Sequence, residues 1–220
     1  MLAEMNTNVG TRILAENDRL RVWDMQVPPG GTMPAHTHEL PYFYAVVHPG
    51  KMKVGDGQWR PREGDVEFYD VKQPKSDPAM VNEGASVHRE IVVEFKPEPP
   101  GGYDRSKIAE GVPFDPADAP PPTVGTKVLF ENDRVKVWDL RLAPVEKLGR
   151  HTHKVDNFFV ILSGSLIRFA NPDDESQYND VQFVDDSVTF VNVPPNGKVD
   201  NRLENIGQKT HHNYLVELLR

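Results

Sequence analysis

The sequence predicts an all-β protein made of two copies of one small sandwich or barrel. Three observations carry this. The chain repeats itself, each copy breaks into short alternating strands separated by turn residues, and no segment sustains a helical period over ten residues. Residues 9–47 (VGTRILAENDRLRVWDMQVPPGGTMPAHTHELPYFYAVV) match 124–162 (VGTKVLFENDRVKVWDLRLAPVEKLGRHTHKVDNFFVIL) without a gap, 16 of the 39 positions being identical. The match resumes where VNEGASVHREIVVEFK (81–96) parallels ENIGQKTHHNYLVELL (204–219). The organisation that follows is a tail at 1–8, a first unit at 9–96, a linker at 97–123 and a second unit at 124–220.

Within the first unit, RLRVWDMQV alternates, with Trp23, Met25 and Val27 on one face and Val22 and Asp24 on the other. The repeated Trp-Asp pairs, Trp23-Asp24 and Trp138-Asp139, are read as tryptophan in the core beside an aspartate paired with an arginine such as Arg21 or Arg141. The repeated Glu-Asn-Asp-Arg is read as a tight turn. YFYAVV is β-branched and aromatic, KMKVGDGQWRP is a strand broken by a Gly-Asp-Gly turn, REGDVEFYDV is a short strand, and SVHREIVVEFK closes the unit. The second unit follows with RVKVWDLRL, NFFVILSG, SLIRFA, DSVTFVNV and NYLVELL. The acidic run PDDESQYNDVQFVDD (172–186) is read as a solvated hairpin loop. The linker is rich in proline and glycine, and YDRSKIAE (103–110) within it has room for one short helical turn.

Composition narrows the function. There is no cysteine among the 220 residues, which removes disulfides, thiolate metal sites and thiol catalysis and fits a reducing, cytoplasmic setting. A net charge of −8 without a Lys/Arg cluster argues against nucleic-acid binding. No apolar run reaches the length of a membrane helix, and the start of the chain does not have the pattern of a secretory signal.

The chemistry-bearing feature is His-Thr-His, present twice as His36/His38 and His151/His153. On a strand, alternation points both histidines of a pair to one side. A β unit of this size with such a pair near the start of a strand, a Gly-Asp turn at Gly64-Asp65 and an Asn-x-Gly at Asn82 and Asn205 before the last strand resembles a cupin, and two units in one chain resemble a bicupin. The resemblance implies two tandem jelly-roll (RmlC-like cupin) barrels related by a pseudo-two-fold, either a monomer that is an intramolecular pseudo-dimer or a homodimer. It implies function only broadly, because cupins include dioxygenases, isomerases, lyases, binding modules and storage proteins.

The resemblance also implies a metal set of two histidines, a glutamate and a third histidine. In the first unit His36 and His38 match, the glutamate position falls at Tyr42 or Phe43, and the third histidine position is Pro78. In the second, His151 and His153 match, Asn157 takes the glutamate position, and Asn201, with Asp200 beside it, takes the third histidine position. The second unit is thereby expected to be the better metal site. If the apolar parity of the last strand lines the barrel, His212 points inward and completes a His151/His153/His212 cluster, while His88 and His211 point out. The metal would be divalent Fe, Mn, Ni or Zn. Tyr42, Tyr44, Tyr69 and Trp59 would line a pocket for a small molecule. Two readings stay open: a metal-dependent enzyme of dioxygenase, isomerase or lyase type acting on a small polar organic molecule, and a non-catalytic binding or structural bicupin with degenerate sites.

Overall fold

The alternating segments of the sequence become strands because their β-branched and aromatic residues bury one face of each while the asparagine, aspartate and glycine turns between them stop pairing. The computed structural model describes residues 6–108, 119, 121–171 and 176–219, and among these every regular element is a strand. The chain divides into two units, Met1–Tyr103 and Asp104–Arg220.

The first unit runs β1 (Arg12–Glu16), β2 (Leu20–Val27), β3 (Thr32–Met33), β4 (His36–His38), β5 (Tyr42–His48), β6 (Met52–Val54), β7 (Gly57–Trp59), β8 (Val66–Tyr69), β9 (Lys75–Asp77), β10 (Met80–Asn82) and β11 (His88–Phe95). They form a five-stranded sheet, β1-β2-β11-β5-β8, a four-stranded sheet, β3-β10-β6-β7, and a two-stranded ribbon, β4-β9. All pairings are antiparallel. One core joins the two larger sheets: Trp23, Met25, Val27, Tyr42 and Val92 from the first meet Met33 and Met52 from the second. This is a jelly roll.

The second unit repeats the plan with β12 (Lys127–Glu131), β13 (Val135–Leu142), β14 (Lys147–Leu148), β15 (His151–His153), β16 (Asn157–Ser163), β17 (Leu166–Ala170), β18 (Tyr178–Gln182), β19 (Val188–Val191), β20 (Lys198–Asp200), β21 (Leu203–Asn205) and β22 (His211–Leu218). Its sheets are β12-β13-β22-β16-β19, β14-β21-β17-β18 and β15-β20.

The repeated motifs turn out to hold the fold. Asn82 is fully buried, donates through Nδ2 to the carbonyls of Val27 and Ser86 (both 2.8 Å) and accepts from the amide of Gly84 (2.9 Å). Asn205 does the same with Leu142, Lys209 and Gly207. Asn17 and Asn132 each accept two backbone amides and so close the tight turns. Trp23 and Trp138 donate their indole N–H to Glu94 and Glu217, each at 2.7 Å. Gly64 takes φ 81° at the turn into β8, and the matching turn into β19 places Asp186 at φ 65°, a conformation aspartate tolerates better than most residues.

Three local expectations are corrected. Asp24 pairs with Arg12 and Arg89 rather than Arg21, which turns to Glu16 and Glu94; the Asp139–Arg141 pair forms. The acidic run contains a strand, the exposed edge strand β18, paired along β17; residues 172–175 lie outside the described residues. Residues 103–108 form no helical turn, and 109 and 110 lie outside the described residues. Among the described residues no helix is long and apolar enough to cross a membrane.

Candidate functional site

The two-stranded ribbon builds the site. β4 pairs antiparallel with β9, so that His36 stands opposite Asp77 and His38 opposite Lys75. Alternation puts these four side chains on one face and Thr37 and Ser76, hydrogen-bonded at 3.0 Å, on the other. The ribbon β15-β20 repeats this, with His151 opposite Asp200 and His153 opposite Lys198.

Each ribbon therefore gathers two imidazoles and a carboxylate, His36/His38/Asp77 and His151/His153/Asp200, with one donor atom from each residue lying within 4.8 Å of the others. The two constructions agree closely: the ring centroids are 5.0 Å apart at 66° in the first and 5.1 Å apart at 65° in the second. His36 Nδ1 donates to the Pro34 carbonyl at 3.0 Å and His151 Nδ1 to the Gly149 carbonyl at 2.9 Å, which leaves each Nε2 lone pair free for a ligand. His38 Nε2 lies 3.3 Å from Asp77, and His153 Nε2 lies 3.2 Å from Asp200.

Electrostatics favour neutral imidazole at His38 and His151 and the carboxylate form at both aspartates. Burial pushes the pKa of His38 and His151 down, toward neutral imidazole. Burial opposes ionisation of Asp77, but hydrogen bonds from His38 and Lys75 outweigh it and hold the carboxyl at about 2. Asp200 is held well below the carboxylate range in the same way, by His153 and Lys198. Lysine takes part in both sites: Lys75 pairs with Asp77 and donates to the Tyr42 hydroxyl at 3.2 Å, and Lys198 pairs with Asp200.

Beyond the donors the two barrels differ. The first encloses a cavity of about 320 Å³, lined by Tyr42, Tyr44, Trp59, Tyr69, Lys75 and Glu90 among others, next to His36, His38 and Asp77. Tyr42 stacks on His38 at 3.6 Å and on Tyr69 at 4.9 Å. The second cavity is only about 80 Å³, because Phe159, Phe169 and Phe183 fill the barrel.

Several sequence expectations change here. The sequence offers two ligands in the first unit, His36 and His38; the fold adds a third donor, because Asp77, next to Pro78, reaches the histidines. Asp77 and Asp200 both end a Lys-x-Asp segment, and that repeat is the signal sequence reasoning missed. The offset between copies is 115 at the histidines and 123 at these segments. His212 does not point into the second barrel; its Nε2 bonds Asp139 at 2.7 Å, and His211 lines the cavity instead. The parity argument fails because both faces of β22 are buried, so apolar character does not mark the inward side. Likewise His88 turns toward the interior, paired with Glu90 of the cavity wall. Asn157 lies against His153 Nδ1 at 3.3 Å, behind the donor cluster, and Asn201 donates to the Ala170 carbonyl at 3.5 Å.

No protein-family model matches the sequence, and no curated protein matches it significantly. Solved structures do match. AerE from Microcystis aeruginosa superposes with a TM-score of 0.54 at 10% identity, covering 95% of this chain and 97% of that one. A single-residue variant of oxalate decarboxylase from Bacillus subtilis superposes with a TM-score of 0.56 at 13% identity, covering 92% and 69%. Salicylate 1,2-dioxygenase from Pseudaminobacter salicylatoxidans gives 0.48 at 12% identity, covering 96% and 77%. The chain carries the cupin fold twice; its architecture is that of a bicupin.

Proposed function

We propose that this protein is a metal-dependent bicupin enzyme whose first barrel holds a divalent transition metal at His36, His38 and Asp77 and acts on a small polar organic molecule in the adjoining cavity. The observation that carries the reading is the same two-imidazole, one-carboxylate group assembled in both units. The donor set fits the group: it suits divalent Mn, Fe, Ni or Zn and leaves coordination positions open for a ligand. Oxalate decarboxylase from Bacillus subtilis contains Mn(II) centres. Bound there, the metal would supply Lewis acidity, or redox chemistry in an oxygenase. The cavity volume of about 320 Å³ is what a small metabolite needs, whereas about 80 Å³ holds only a few waters. His151, His153 and Asp200 would hold a second metal in a barrel with no room for an organic substrate. Lys75 and the Tyr42 hydroxyl would anchor a carboxylate on the substrate, and Tyr44, Tyr69 and Trp59 would exclude water. The cysteine-free, acidic composition supports a cytoplasmic protein with small-molecule rather than nucleic-acid partners.

A second reading, a metal-free binding barrel, is favoured by one observation: Lys75 and Lys198 already neutralise the two aspartates. Elemental mass spectrometry on untagged protein separates the two. The enzyme reading expects two metals per chain, one lost in His36→Ala/His38→Ala and one in His151→Ala/His153→Ala. No metal after reloading with Mn, Fe, Ni and Zn leaves the binding reading.

A further inference from the structure

The first cavity holds a buried pair of titratable groups that the metal reading does not use. Glu90 lines the cavity wall from β11, and its Oε1 lies 2.9 Å from Nε2 of His88, two residues earlier on the same face. His88 is fully buried and Glu90 nearly so. The other ring nitrogen, Nδ1, is 3.0 Å from the His48 carbonyl. A carbonyl only accepts, so Nδ1 carries a proton. One further proton must then lie on the Nε2···Oε1 link. Either Glu90 is a neutral acid donating to a neutral imidazole, or it is a carboxylate accepting from an imidazolium. In both arrangements the pair is neutral, and only the position of one proton differs.

The second barrel shows what the same position looks like without this device. His211 occupies the place of His88, and Asn213 the place of Glu90, with His211 Nε2 donating to Asn213 Oδ1 at 3.1 Å. Burial drives the His211 pKa down to about 4, its Nδ1 is buried without a hydrogen-bond partner, and the Asn213 amide is neither an acid nor a base near neutral pH. The fold thus accepts a neutral amide here, and the carboxyl in the first barrel is not required for packing. Burial pushes the Glu90 pKa up. The titratable groups whose fields reach it are His88 on its own strand, His36 on β4, Tyr42 and Tyr44 on β5, and Glu67 and Tyr69 on β8. The neighbouring Arg89 turns away to Asp24 at 2.7 Å.

We infer that His88 and Glu90 form an acid–base site that exchanges a proton with a small carbonyl-containing organic acid bound in the first barrel. This rests on the metal-dependent reading, which it narrows toward isomerase or lyase chemistry. The Glu90 carboxylate takes a proton from a carbon next to the carbonyl. The C–H bond breaks, and its electron pair moves onto the carbonyl as an enolate, polarised from the His36/His38/Asp77 side of the cavity. Return of a proton from Glu90 to the same carbon regenerates the acid, and in an acid with a neighbouring C=C bond return to the far end of the conjugated dienolate moves that double bond. No oxidant or co-reactant is consumed. His88 holds Glu90 in place and adjusts its basicity through the shared proton, so it is the positioning residue and Glu90 the catalytic one. The class of ligand follows from the walls: the Lys75 ammonium and Tyr42 hydroxyl, 3.2 Å apart, suit a carboxylate, and aromatic rings suit a short carbon skeleton.

The test uses the full chain loaded with Mn(II), incubated in D₂O with pyruvate, 2-oxobutyrate or levulinate, with deuterium uptake read by mass spectrometry. The expected result is uptake above the protein-free rate with at least one acid, falling by about 10²- to 10⁴-fold in Glu90→Gln and partly recovered in Glu90→Asp, with metal content and melting temperature held. No uptake from any of the three acids by fully metal-loaded protein overturns the proposal, and so does a Glu90→Gln variant that exchanges at the original rate. Metal-free protein labelled with ¹⁵N-histidine judges the pair separately. The His88 Nδ1 must carry a proton, and its Nε2 signal must move in Glu90→Gln. A His88 signal insensitive to that change overturns the proposal whether or not metal binds, whereas absence of metal alone sinks the functional reading above.

Discussion

Replacing Lys75 with methionine tests the metal site directly, because lysine and metal would compete for Asp77. The ammonium pairs with that carboxylate while both side chains are about a third exposed. A divalent ion held by His36, His38 and Asp77 would lie within about 5 Å of the ammonium if the lysine stayed. At an effective dielectric of about 20 the repulsion would be about 7 kcal/mol, too large for both to remain. With no substrate present the lysine would therefore swing off Asp77; a substrate carboxylate bound beside the metal would offset the repulsion and let the ammonium face the cavity again. Swinging off breaks a partly exposed ion pair worth up to about 1 kcal/mol and leaves about 1 kcal/mol of repulsion across roughly 10 Å of water. Metal binding to the native chain would carry this handicap of about 2 kcal/mol. Methionine keeps the length and apolar stem of lysine and removes the charge. Lys75→Met should bind Mn(II) about 10- to 30-fold more tightly at the first site, read by electron paramagnetic resonance titration of free Mn(II) on a background in which His151→Ala/His153→Ala silences the second. Lys198→Met on the converse background should gain at least as much, since Lys198 is the more buried of the two lysines. Unchanged or weaker binding in Lys75→Met would mean that no metal competes with the ammonium for Asp77, and the three-donor site would be discarded.

Asp77→Asn and Asp200→Asn should each remove one metal per chain by elemental analysis while leaving the circular dichroism spectrum intact; a variant that keeps both metals shows that its carboxylate is not a ligand. Asn82→Ala strands the Val27 and Ser86 carbonyls and the Gly84 amide in a fully buried position, which at about 1 kcal/mol per group should lower stability by roughly 2–4 kcal/mol; a urea midpoint within error of the native one refutes the structural role of the motif. The pKa of His211, about 4, lies below its unfolded value of 6.5. The unfolded chain therefore takes up a proton first as pH falls, so stability is full above pH 6.5 and declines toward pH 4, by about 3 kcal/mol. Urea midpoints at pH 7, 5.5 and 4 should show this slope, and His211→Gln should flatten it; an unchanged slope in the variant assigns the pH dependence elsewhere.

What could be read from the sequence was whatever depends on local pattern. Trp23, Met25 and Val27 announced an inward face by period two, and a five-stranded and a four-stranded sheet close over them. The Asn17 and Asn132 turns follow from side-chain chemistry within three residues. Asp77 could not be reached in this way. It meets His36 only because β9 pairs with β4 across some forty residues of intervening chain, and counting back from Asn82 selected Pro78 by one residue. His212 was misplaced for a different reason. The parity rule assumes that one face of a strand is wet, and β22 is buried on both. On such a strand the cavity takes the polar parity, His211 and Asn213, because polar groups there can pair with each other and with a ligand, while Tyr214 and Val216 bury on the opposite face.

The divergence of the two barrels also bears on why both keep the same ligating ribbon. Common ancestry accounts for His-Thr-His in each, but the Lys-x-Asp strand lies at a different offset, beyond a change in chain length that disturbed the neighbouring hairpin. The β6–β7 hairpin turns through Gly55-Asp56 with Val54 opposite Gly57, whereas the β17–β18 connection is longer and β18 runs out as an exposed edge. The hairpin tolerated insertion because its backbone is at the surface. The ribbon did not drift, although it is a short two-stranded piece whose own pairing contributes little. Meanwhile Tyr42 is matched by Asn157, Tyr44 by Phe159 and Glu90 by Asn213, so the groups facing the cavity changed freely. A ribbon that survives while its hairpin lengthens and its cavity fills is held by a constraint of its own. Ligation of a metal in both barrels, as proposed above, would supply that constraint, and chemistry on an organic molecule would need only the barrel with the larger cavity and Glu90.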